Sequence, residues 1–431
     1  MSNSLPEGWS SVKLSEIADV VSGGTPSRDV AEFWAPADID WVTPTDITKD
    51  SKRALNESSE KISFKGLRNS SAKTLPVGTI LMTSRATLGE MKIAEIECCT
   101  NQGFKSLIVK PNVDNWFLYY QMKRKKSCYE RLGIGSTFLE VNKKDTDNFE
   151  VELAPFKQQQ KIAKILTTVD NFIDQTQSLI DKYTAVKLGM MADLFSRGID
   201  LSGTPETNKN YGQLRPSYKD APELYQETEI GWVPLDWTFN QLGSYIEKYL
   251  YGPRFDASMY SEYGNVKTIR GTDFSKQGDI KYEQVPLAEI PFPKIRHHIL
   301  KDGDLVVVTT ADCGLTAVYE EQSSDYIPSA YAVKIKLTDD ATPFFIKAYM
   351  QTFLAETQVN KYVRQGTLGN LPGSDILRFH IALPSLKEQK AMVERLNSID
   401  ELIEKEKQYV EKLKLKKKGL MQDLLTGKVK V

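Results

Sequence analysis

The sequence predicts an α+β fold in which two mixed α/β domains are joined by two long helices that pack as an antiparallel coiled coil. The whole forms a pseudo-twofold tandem duplication. Three observations predict this fold. The segment 156–195 recurs without a gap at 386–425, 230 positions later. Both copies carry apolar residues seven positions apart. The globular sequence before each copy follows the same order of turns and strands.

The two recurring segments are predicted to be long helices. Neither 156–188 nor 386–418 contains glycine or proline, so each can continue as one helix. Forty residues at a rise of 1.5 Å give a length of about 60 Å. Neither helix can bury its apolar stripe alone, so each is expected to pack against the other. The residues predicted to make this contact are Leu166, Ile173, Ile180 and Leu194 in the first copy and Leu396, Ile403, Val410 and Leu424 in the second.

A lysine interrupts the same heptad row at the same place in both copies. These lysines are Lys187 and Lys417. A charged side chain is costly in a coiled-coil core. We therefore expect packing against the sister helix to end at these two positions.

Composition favours a reducing cytosol and excludes a simple membrane protein. Of the 431 residues 40% are hydrophobic and 26% are charged, values that are typical of globular domains. No run of eighteen apolar residues and no secretory signal is present, so no membrane contact is predicted. The four cysteines form no CxxC pair, which predicts a cytoplasmic location. A net charge of −1 means that any nucleic-acid binding must use a local surface.

Five segments follow from the repeat. Residues 1–154 form the first globular domain, 155–198 the first long helix, 199–228 a linker rich in proline, glycine and asparagine, 229–383 the second globular domain and 384–431 the second long helix. The two globular sequences agree only in a skeleton of positions: Trp9 with Trp237, Thr45-Asp46 with Thr272-Asp273, and Gly89 with Gly314. The helices agree closely. Whatever differs in function between the halves is therefore expected in the globular parts.

The residues indicate no catalytic or metal site. The three histidines, His297, His298 and His380, lack the HxxxH spacing of metal ligands. No phosphate-binding GxxxxGK[ST] loop and no serine-centred nucleophile elbow is present. The sequence favours a protein that binds rather than catalyses.

Polar loops recur at corresponding places in both globular parts and are the candidate binding residues. Arginine suits guanine, asparagine or glutamine suits adenine, and the threonine methyl group suits thymine. The basic run 123–126 could contact phosphates. For any single residue, an ordinary solvated loop is the competing interpretation, but the recurrence favours function for the set. The candidates are Gly24, Thr25, Thr45, Arg85, Thr87, Asn101, Gln102, Ser136 and Thr137 in the first half and Arg254, Arg270, Thr272, Thr310, Ser329, Tyr331, Gln365 and Thr367 in the second.

The whole chain resembles the specificity subunit of type I restriction–modification enzymes. The phrases that carry the resemblance are LPEGW at 5–9, PFKQQQKIAKIL at 155–166, LRPSYKDAPELYQETEIGWVP at 214–234, LPSLKEQKAMVERL at 383–396 and KKGLMQDLLTGKVKV at 417–431. The first copy departs from the second at two places. Gln158 stands where the second copy has Glu388, and residues 196–198 stand where the second has 426–427.

The resemblance implies a non-catalytic subunit with two target recognition domains. Each domain would read one half of a bipartite site in double-stranded DNA, and the helices would set the spacer. The implied partners are two modification subunits, which bind S-adenosylmethionine and methylate adenine. Two restriction subunits that use ATP and magnesium would complete the cleaving complex. No cofactor is expected in this chain, which lacks the Asn/Asp-Pro-Pro-aromatic run of an adenine methyltransferase. The alternative is a coiled-coil protein adaptor that reads no DNA.

Overall fold

The structure is a computed structural model that describes residues 5–134 and 139–431. The chain forms two compact units. Unit 1 contains the described residues up to 179 together with 406–431, and unit 2 contains residues 180–405. Each unit therefore holds one globular part and one half of each long helix.

Unit 1 is built on two sheets and a two-stranded ladder. Its 3-10 turn is Ala31–Phe33. Its strands are β1 Ser10–Lys13, β2 Ala18–Ser22, β3 Ile39–Val42, β4 Ala54–Leu55, β5 Glu60–Ile62, β6 Ile80–Met82, β7 Met91–Ala94, β8 Cys98–Thr100, β9 Lys105–Val109 and β10 Glu150–Leu153. Its helices are α1 Leu14–Ile17, α2 Pro44–Thr48, α3 Phe64–Arg68, α4 Asn115–Arg124, α5 Lys126–Glu130, α6 Lys143–Asp147 and the first half of α7 Phe156–Arg197.

The strand order in unit 1 places the core between the larger sheet and the helices. The five-stranded sheet has the order β2-β9-β6-β7-β4, the three-stranded sheet has the order β5-β3-β8, and β1 pairs with β10. Every residue of β6 is buried, as expected for a short apolar strand in the centre of a sheet. The main core joins β6 and β7 to the apolar face of α4, including Phe117 and Tyr120.

Unit 2 repeats this plan and adds a hairpin. Its 3-10 turns are Pro222–Leu224, Leu242–Tyr245, Ala257–Met259, Gly271–Asp273 and Tyr282–Gln284. Its strands are β11 Tyr225–Thr228, β12 Gly231–Pro234, β13 Thr238–Gln241, β14 Ile246–Tyr251, β15 Val266–Ile269, β16 Leu287–Ala288, β17 Leu305–Val308, β18 Thr316–Val318, β19 Tyr326–Pro328, β20 Ala332–Leu337 and β21 His380–Leu383. Its helices are α8 Phe292–Ile295, α9 Pro343–Met350, α10 Phe353–Tyr362, α11 Gly373–Ile376 and the first half of α12 Leu386–Leu424.

The topology of the two units confirms the predicted α+β class and the tandem duplication. Unit 2 has the sheet orders β14-β20-β17-β18 and β16-β15-β19, and β13 pairs with β21. Strands β14, β20, β17 and β18 take the places of β2, β9, β6 and β7, and β4 has no equivalent in this sheet of unit 2. The three-stranded sheets have the same order in both units. The middle strand of each three-stranded sheet also has one antiparallel and one parallel neighbour in both units. The segment 199–228, predicted as a linker, lies within unit 2, where Arg215 is buried and the last four residues form β11.

The halves of α7 and α12 run antiparallel within each unit. In unit 1, Ile162 and Leu166 of α7 share a core with Leu424 and Leu425 of α12, and further along α7 Asp170 pairs with Lys417. In unit 2, Leu194 shares a core with Met392 and Leu396, and Lys187 pairs with Asp400. Numbering rises along one helix as it falls along the other, which confirms antiparallel packing.

The predicted packing residues occupy the inner faces of these helices. Leu166, Ile180, Leu194, Leu396, Ile403, Val410 and Leu424 are buried, and Ile173 is half-buried. The expectation that packing ends at Lys187 and Lys417 is wrong. Each lysine lies across from an aspartate of the sister helix, and the buried Leu194 and Leu424 lie seven residues beyond them. The carboxylates neutralise the charge that the heptad pattern alone left unexplained.

A glutamine in the first turn fastens each long helix to the globular part before it. The amide of Gln159 is buried, accepts a hydrogen bond from the backbone N–H of Asp114 and donates to the carbonyl oxygens of Asn112 and Ala154. In unit 2, Gln389 accepts from the N–H of Thr342 and donates to two carbonyl oxygens. A buried amide with all these bonds holds the start of the helix in one position. We call these contacts the glutamine anchors.

Among the described residues, no helix is long and apolar enough to cross a membrane. Over the same residues, histidine, cysteine, aspartate and glutamate side chains form no cluster of three or more that could hold a metal ion.

Candidate nucleic-acid interface

Backbone hydrogen bonds bring the predicted loops of unit 1 to one edge of the sheets. The loop at 23–26 joins the end of β8, and the loop after β8 joins the end of β3. The loop at 84–87 lies between the loop after β8 and the segment before α6. The bonds are Gly24 N to Thr100 O (2.8 Å), Asn101 N to Val42 O (3.1 Å), Ser84 N to Gly103 O (2.7 Å) and Val141 N to Ser84 O (3.1 Å). Five loops that are distant in sequence therefore form one platform.

Three of these bonds recur in unit 2 with different side chains. They are Ser329 N to Ile269 O (2.8 Å), Thr309 N to Tyr331 O (2.9 Å) and Leu371 N to Thr309 O (2.7 Å). The fourth differs, because Gly252 N bonds Ala332 O (3.1 Å) and so continues the ladder of β14 with β20. An antiparallel bridge closes each platform, between Ile134 and Glu140 in unit 1 and between Arg364 and Asn370 in unit 2. Loops supported by a rigid frame are where binding residues concentrate.

A strained alanine occupies the same place in both platforms. Ala86 has φ +56° and Ala311 has φ +66°, and both lie in the loop after the central strand of the larger sheet. Residues with a side chain rarely adopt this conformation, which costs about 1 kcal/mol or more. Strain of this kind persists where the surrounding structure determines the loop, often at functional sites. The recurrence in two divergent loops indicates that the backbone shape matters there.

A buried aspartate positions one exposed threonine in each platform. In unit 1 the Asp46 carboxylate accepts hydrogen bonds from Thr43 and Ser59, and this cap leaves Thr45 exposed at the start of α2. Burial raises the pKa of the Asp46 carboxyl, but the hydrogen bonds from Ser59 and Thr43 outweigh it and hold the pKa below its usual value. In unit 2, Asp273 makes the equivalent cap and Thr272 is exposed.

The predicted residues of unit 1 divide into exposed and structural ones. Thr25, Thr45, Thr87 and Gln102 are exposed, and the Thr25 hydroxyl donates to the Gln102 side chain. Gly24 is buried, where an added Cβ would lie 2.2 Å from Ser71 Oγ, so it serves the backbone. The half-buried Asn101 uses its side-chain oxygen to accept from Gly103 N. Ser136 and Thr137 lie outside the described residues.

Unit 2 shows the same division. Arg254, Thr272, Tyr331, Gln365 and Thr367 are exposed, and Tyr331 keeps 65% of its surface accessible. Ser329 is buried, and its hydroxyl accepts from the backbone N–H of Tyr331. Thr310 is half-buried and bridges Asn370. The exposed residues could touch a ligand directly, and the other two shape the loop that carries Tyr331.

Two predicted arginines form ion pairs with carboxylates of their own unit. Arg85 Nε lies 2.9 Å from Glu140 Oε2, and Lys105 Nζ lies 3.5 Å from the other oxygen of the same carboxylate. Burial lowers the pKa of the Lys105 amine, against the attraction of Glu140. Arg270 donates from Nε and Nη2 to both oxygens of Asp273, at 3.0 and 2.8 Å. That edge of Arg270 is therefore occupied, whereas Arg254 projects from an exposed loop.

The residue pattern missed the partners of these arginines. The pairing of Glu140 with Arg85 depends on the fold and cannot be read from the sequence. Near the bridges that close the platforms, the structure also shows exposed apolar residues, Leu139 in unit 1 and Leu368 in unit 2. The repeat offset of 230, applied beyond the helices, would have aligned Thr137 with Thr367 and Glu140 with Asn370.

The basic run 123–126 is largely neutralised within unit 1. Arg124 and Lys125 pair with Glu152, and Lys126 pairs with Glu90 and Glu130. A cation already paired in this way contributes less to attracting phosphates. The platforms, rather than this run, are the candidate interface.

Comparison with known proteins decides the family. The family described as type I restriction modification DNA specificity domain matches twice, at residues 6–183 and 234–415. The two matches cover most of the chain, and each one takes in a platform and most of the long helix that follows it.

The chain belongs to this family. The resemblance read from the sequence is thereby confirmed. Two specificity subunits of Methanocaldococcus jannaschii are similar along the chain. The type I restriction enzyme MjaVIII specificity subunit is 26% identical over 99% of this chain and 94% of its own length. The MjaIX specificity subunit is 26% identical over 77% of this chain and 68% of its own length.

Solved structures show the same fold. The type I restriction–modification S subunit from M. genitalium superposes with a TM-score of 0.58 at 12% identity, covering 98% of this chain and 97% of that one. A chain from a study of assembly and conformational transition in the type I R-M system gives a TM-score of 0.59 at 17% identity, covering 99% and 100%.

Proposed function

We propose that this chain is the DNA sequence-specificity subunit of a type I restriction–modification complex. Each platform reads one half of a bipartite site in double-stranded DNA. The paired helices α7 and α12 set the spacer between the half-sites and dock two modification subunits. The chain itself performs no chemistry.

The observation that carries this proposal is one frame with two sets of side chains. Both platforms share three equivalent backbone bonds and the same strained alanine position. Their exposed side chains differ, with Thr25 and Gln102 on the first and Arg254 and Tyr331 on the second. A shared frame that carries different groove-reading residues is suited to reading two different sequences. A protein adaptor with two identical partners would give no reason for the loops to diverge.

The chemistry belongs to partner subunits under this proposal. The modification subunits supply S-adenosylmethionine and methylate one adenine in each half-site. Two restriction subunits, using ATP and magnesium, add DNA cleavage. The specificity subunit contributes binding energy and geometry, and a cytoplasmic location would place it with its DNA.

Methylome sequencing tests the proposal directly. The chain is expressed with its modification subunit in a host that lacks adenine methylation, and modified adenines are mapped across the genome. The expected result is one bipartite motif with a fixed spacer. Methylation without such a motif, or none that depends on the chain, would favour the adaptor.

A matched pair of arginine variants tests whether the second platform reads one half-site. Arg254→Ala removes an exposed cation from the second platform. If Arg254 reads a base, one position of one half-site relaxes, with a loss of discrimination of about 1–3 kcal/mol. Arg378→Ala removes an exposed cation of unit 2 that pairs with Asp375 outside the loops, and both half-sites should stay unchanged. Equal weakening of all sequences by Arg254→Ala would make Arg254 a phosphate contact instead.

A further inference from the structure

Asp170 of α7 contacts side chains from three other parts of unit 1. Its carboxylate accepts a hydrogen bond from the Tyr120 hydroxyl of α4 (2.6 Å) and lies 2.6 Å from Lys417 Nζ of α12. Arg53, from the segment before β4, lies 3.5 Å away. The same guanidinium also contacts Asn171 and Asp174 in the next turn of α7. We call this group, Arg53, Tyr120, Asp170, Asp174 and Lys417, the Asp170 cluster.

The centre of the cluster is shielded from water. The side chains of Asp170, Arg53 and Lys417 are 7%, 14% and 17% exposed, whereas Asp174 lies at the rim and is 56% exposed. Burial lowers the pKa of the Lys417 amine, against the opposing pull of Asp170. Charges in such a place are tolerated only while their partners stay in position. Movement of Arg53 or Tyr120 away from α7 would leave buried charges without partners.

The cluster is a second attachment point between the globular part and α7. The first is the glutamine anchor at Gln159, eleven residues earlier in the sequence. Eleven residues at 1.5 Å place the two points about 16 Å apart along the helix. Ile162 and Leu166 pack into the core between these two points, but apolar packing is not directional. Two polar attachments this far apart therefore fix the tilt of the globular part on α7.

The equivalent aspartate of unit 2 lacks this second attachment. Asp400 pairs with Lys187, at 2.6 and 2.7 Å, and its side chain is 46% exposed. Within the described residues, no side chain from the globular part of unit 2 joins that pair. Asp170 and Asp400 thus both pair with a lysine of the sister helix. Only Asp170 also binds side chains of the globular part.

We propose that the Asp170 cluster fixes the tilt of the first recognition platform on the helix pair and thereby restricts the complex to one spacer length. This inference rests on the proposed function, since a spacer exists only if the chain reads two half-sites. Asp170 acts as a positioning residue, because its carboxylate is buried among Tyr120, Lys417 and Arg53. The tilt determines where along the DNA the first half-site must lie, and a looser tilt admits neighbouring spacings.

The test compares Asp170→Asn with Asp400→Asn, the same substitution at the same place in the repeat. Each variant is expressed with the modification subunit and its methylome is mapped. For Asp170→Asn, we expect both half-site sequences to stay as in the parent while sites with a spacer one base pair longer or shorter become methylated. For Asp400→Asn, we expect the parental spacer alone. Altered half-site bases in Asp170→Asn, or an unchanged spacer, would overturn the proposal.

A milder variant separates tilt from general damage. Tyr120→Phe keeps the aromatic packing of α4 and removes one hydrogen bond to Asp170. It should broaden the spacer in the same direction as Asp170→Asn, to a smaller extent. Loss of methylation at all spacings in Tyr120→Phe, together with normal thermal unfolding, would contradict a positioning role.

Spin labels measure the tilt without DNA. Cys128 of α5 is exposed, and Gln175→Cys supplies an exposed site on α7 within the same unit. Cys313→Ser removes the half-buried thiol, and burial raises the pKa values of Cys98 and Cys99 to about 12, which keeps them unreactive. We expect one narrow distance distribution in the parent, broadened by Asp170→Asn. If Asp170→Asn leaves the distance distribution unchanged, the proposal that the cluster fixes the tilt is wrong. If the distribution broadens but the methylome of the parent protein shows no bipartite motif, the cluster does fix the tilt and the proposed DNA-reading function is wrong.

Discussion

The two helix starts solve the same packing problem with different chemistry. In unit 1, the indole N–H of Trp9 donates to the neutral amide of Gln158 (3.1 Å). In unit 2, Trp237 and the backbone N–H of Ile199 donate to the carboxylate of Glu388. That carboxylate is buried against Arg215, at 2.5 and 3.1 Å.

The difference follows from the neighbours of each side chain. Arg215, from the segment 199–228, reaches Glu388, whereas within the described residues no arginine pairs with Gln158. With an arginine available, a carboxylate can be buried at position 388, and Asp236 pairs with the same guanidinium at 2.6 Å. Without one, an amide serves. The comparison teaches that a sequence difference between two repeats can be caused by a neighbour that is distant in sequence. A test of Glu388 must therefore change its partner Arg215 as well.

The largest expected effect comes from breaking the buried pair on one side. Arg215→Met leaves the Glu388 carboxylate buried without its partner, and we expect a loss of about 3–5 kcal/mol in the free energy of unfolding. Chemical denaturation measures it. The control is Arg215→Met with Glu388→Gln, which reproduces the amide of unit 1 and should recover most of the loss. A double variant as unstable as the single one would show that the arginine acts through packing instead.

Charge exchange between the helices should distinguish the two lysine–aspartate pairs. Asp170→Lys with Lys417→Asp places an ammonium group beside Arg53 and removes the acceptor of Tyr120, so we expect a loss of about 3 kcal/mol. Lys187→Asp with Asp400→Lys restores a pair at a half-exposed site, where the change should stay below about 1 kcal/mol. Thermal unfolding of both variants decides it, and equal losses would mean that the two sites are equivalent.

The helices could be predicted almost completely from the sequence. Their repeats and heptads placed the starts at Phe156 and Leu386, where the structure has them, and the end of the first helix within two residues. The segment 384–431, assigned to the second helix, runs seven residues beyond its end at Leu424. The role of Lys187 and Lys417 was missed, because one helix read alone does not show which residue lies opposite. The sequence located the loops but did not show which of their side chains are exposed and which are already paired. Arg270 is engaged by its neighbour Asp273, and Arg85 by Glu140 from a distant segment, and only the fold reveals the latter.

The Asp46 cap of unit 1 should weaken in acid. The pKa of Asp46 is held below its usual value by Ser59 and Thr43, against the effect of burial. An unfolded aspartate titrates near 3.9, so this stabilisation is complete above about pH 4 to 5 and is lost as the pH falls through the lower folded pKa. Asp46→Asn should lower the free energy of unfolding by about 1–2 kcal/mol at pH 7. It should also reduce the further loss of stability between about pH 5 and pH 3. Denaturation measured from pH 7 to 3 checks it, and parallel curves for parent and variant would contradict the assignment.

The smallest expected effect is at the strained alanines, where the two platforms should respond alike. Glycine adopts a positive φ without the penalty that alanine carries, but it gains freedom in the unfolded chain. Ala86→Gly and Ala311→Gly should therefore stabilise the protein by no more than about 0.5–1 kcal/mol. Thr87→Gly, next to Ala86 but without a positive φ, is the control and should destabilise. Should Ala86→Gly destabilise while Ala311→Gly stabilises, the shared conformation would not be what the two loops have in common, and their correspondence would rest on the backbone bonds alone.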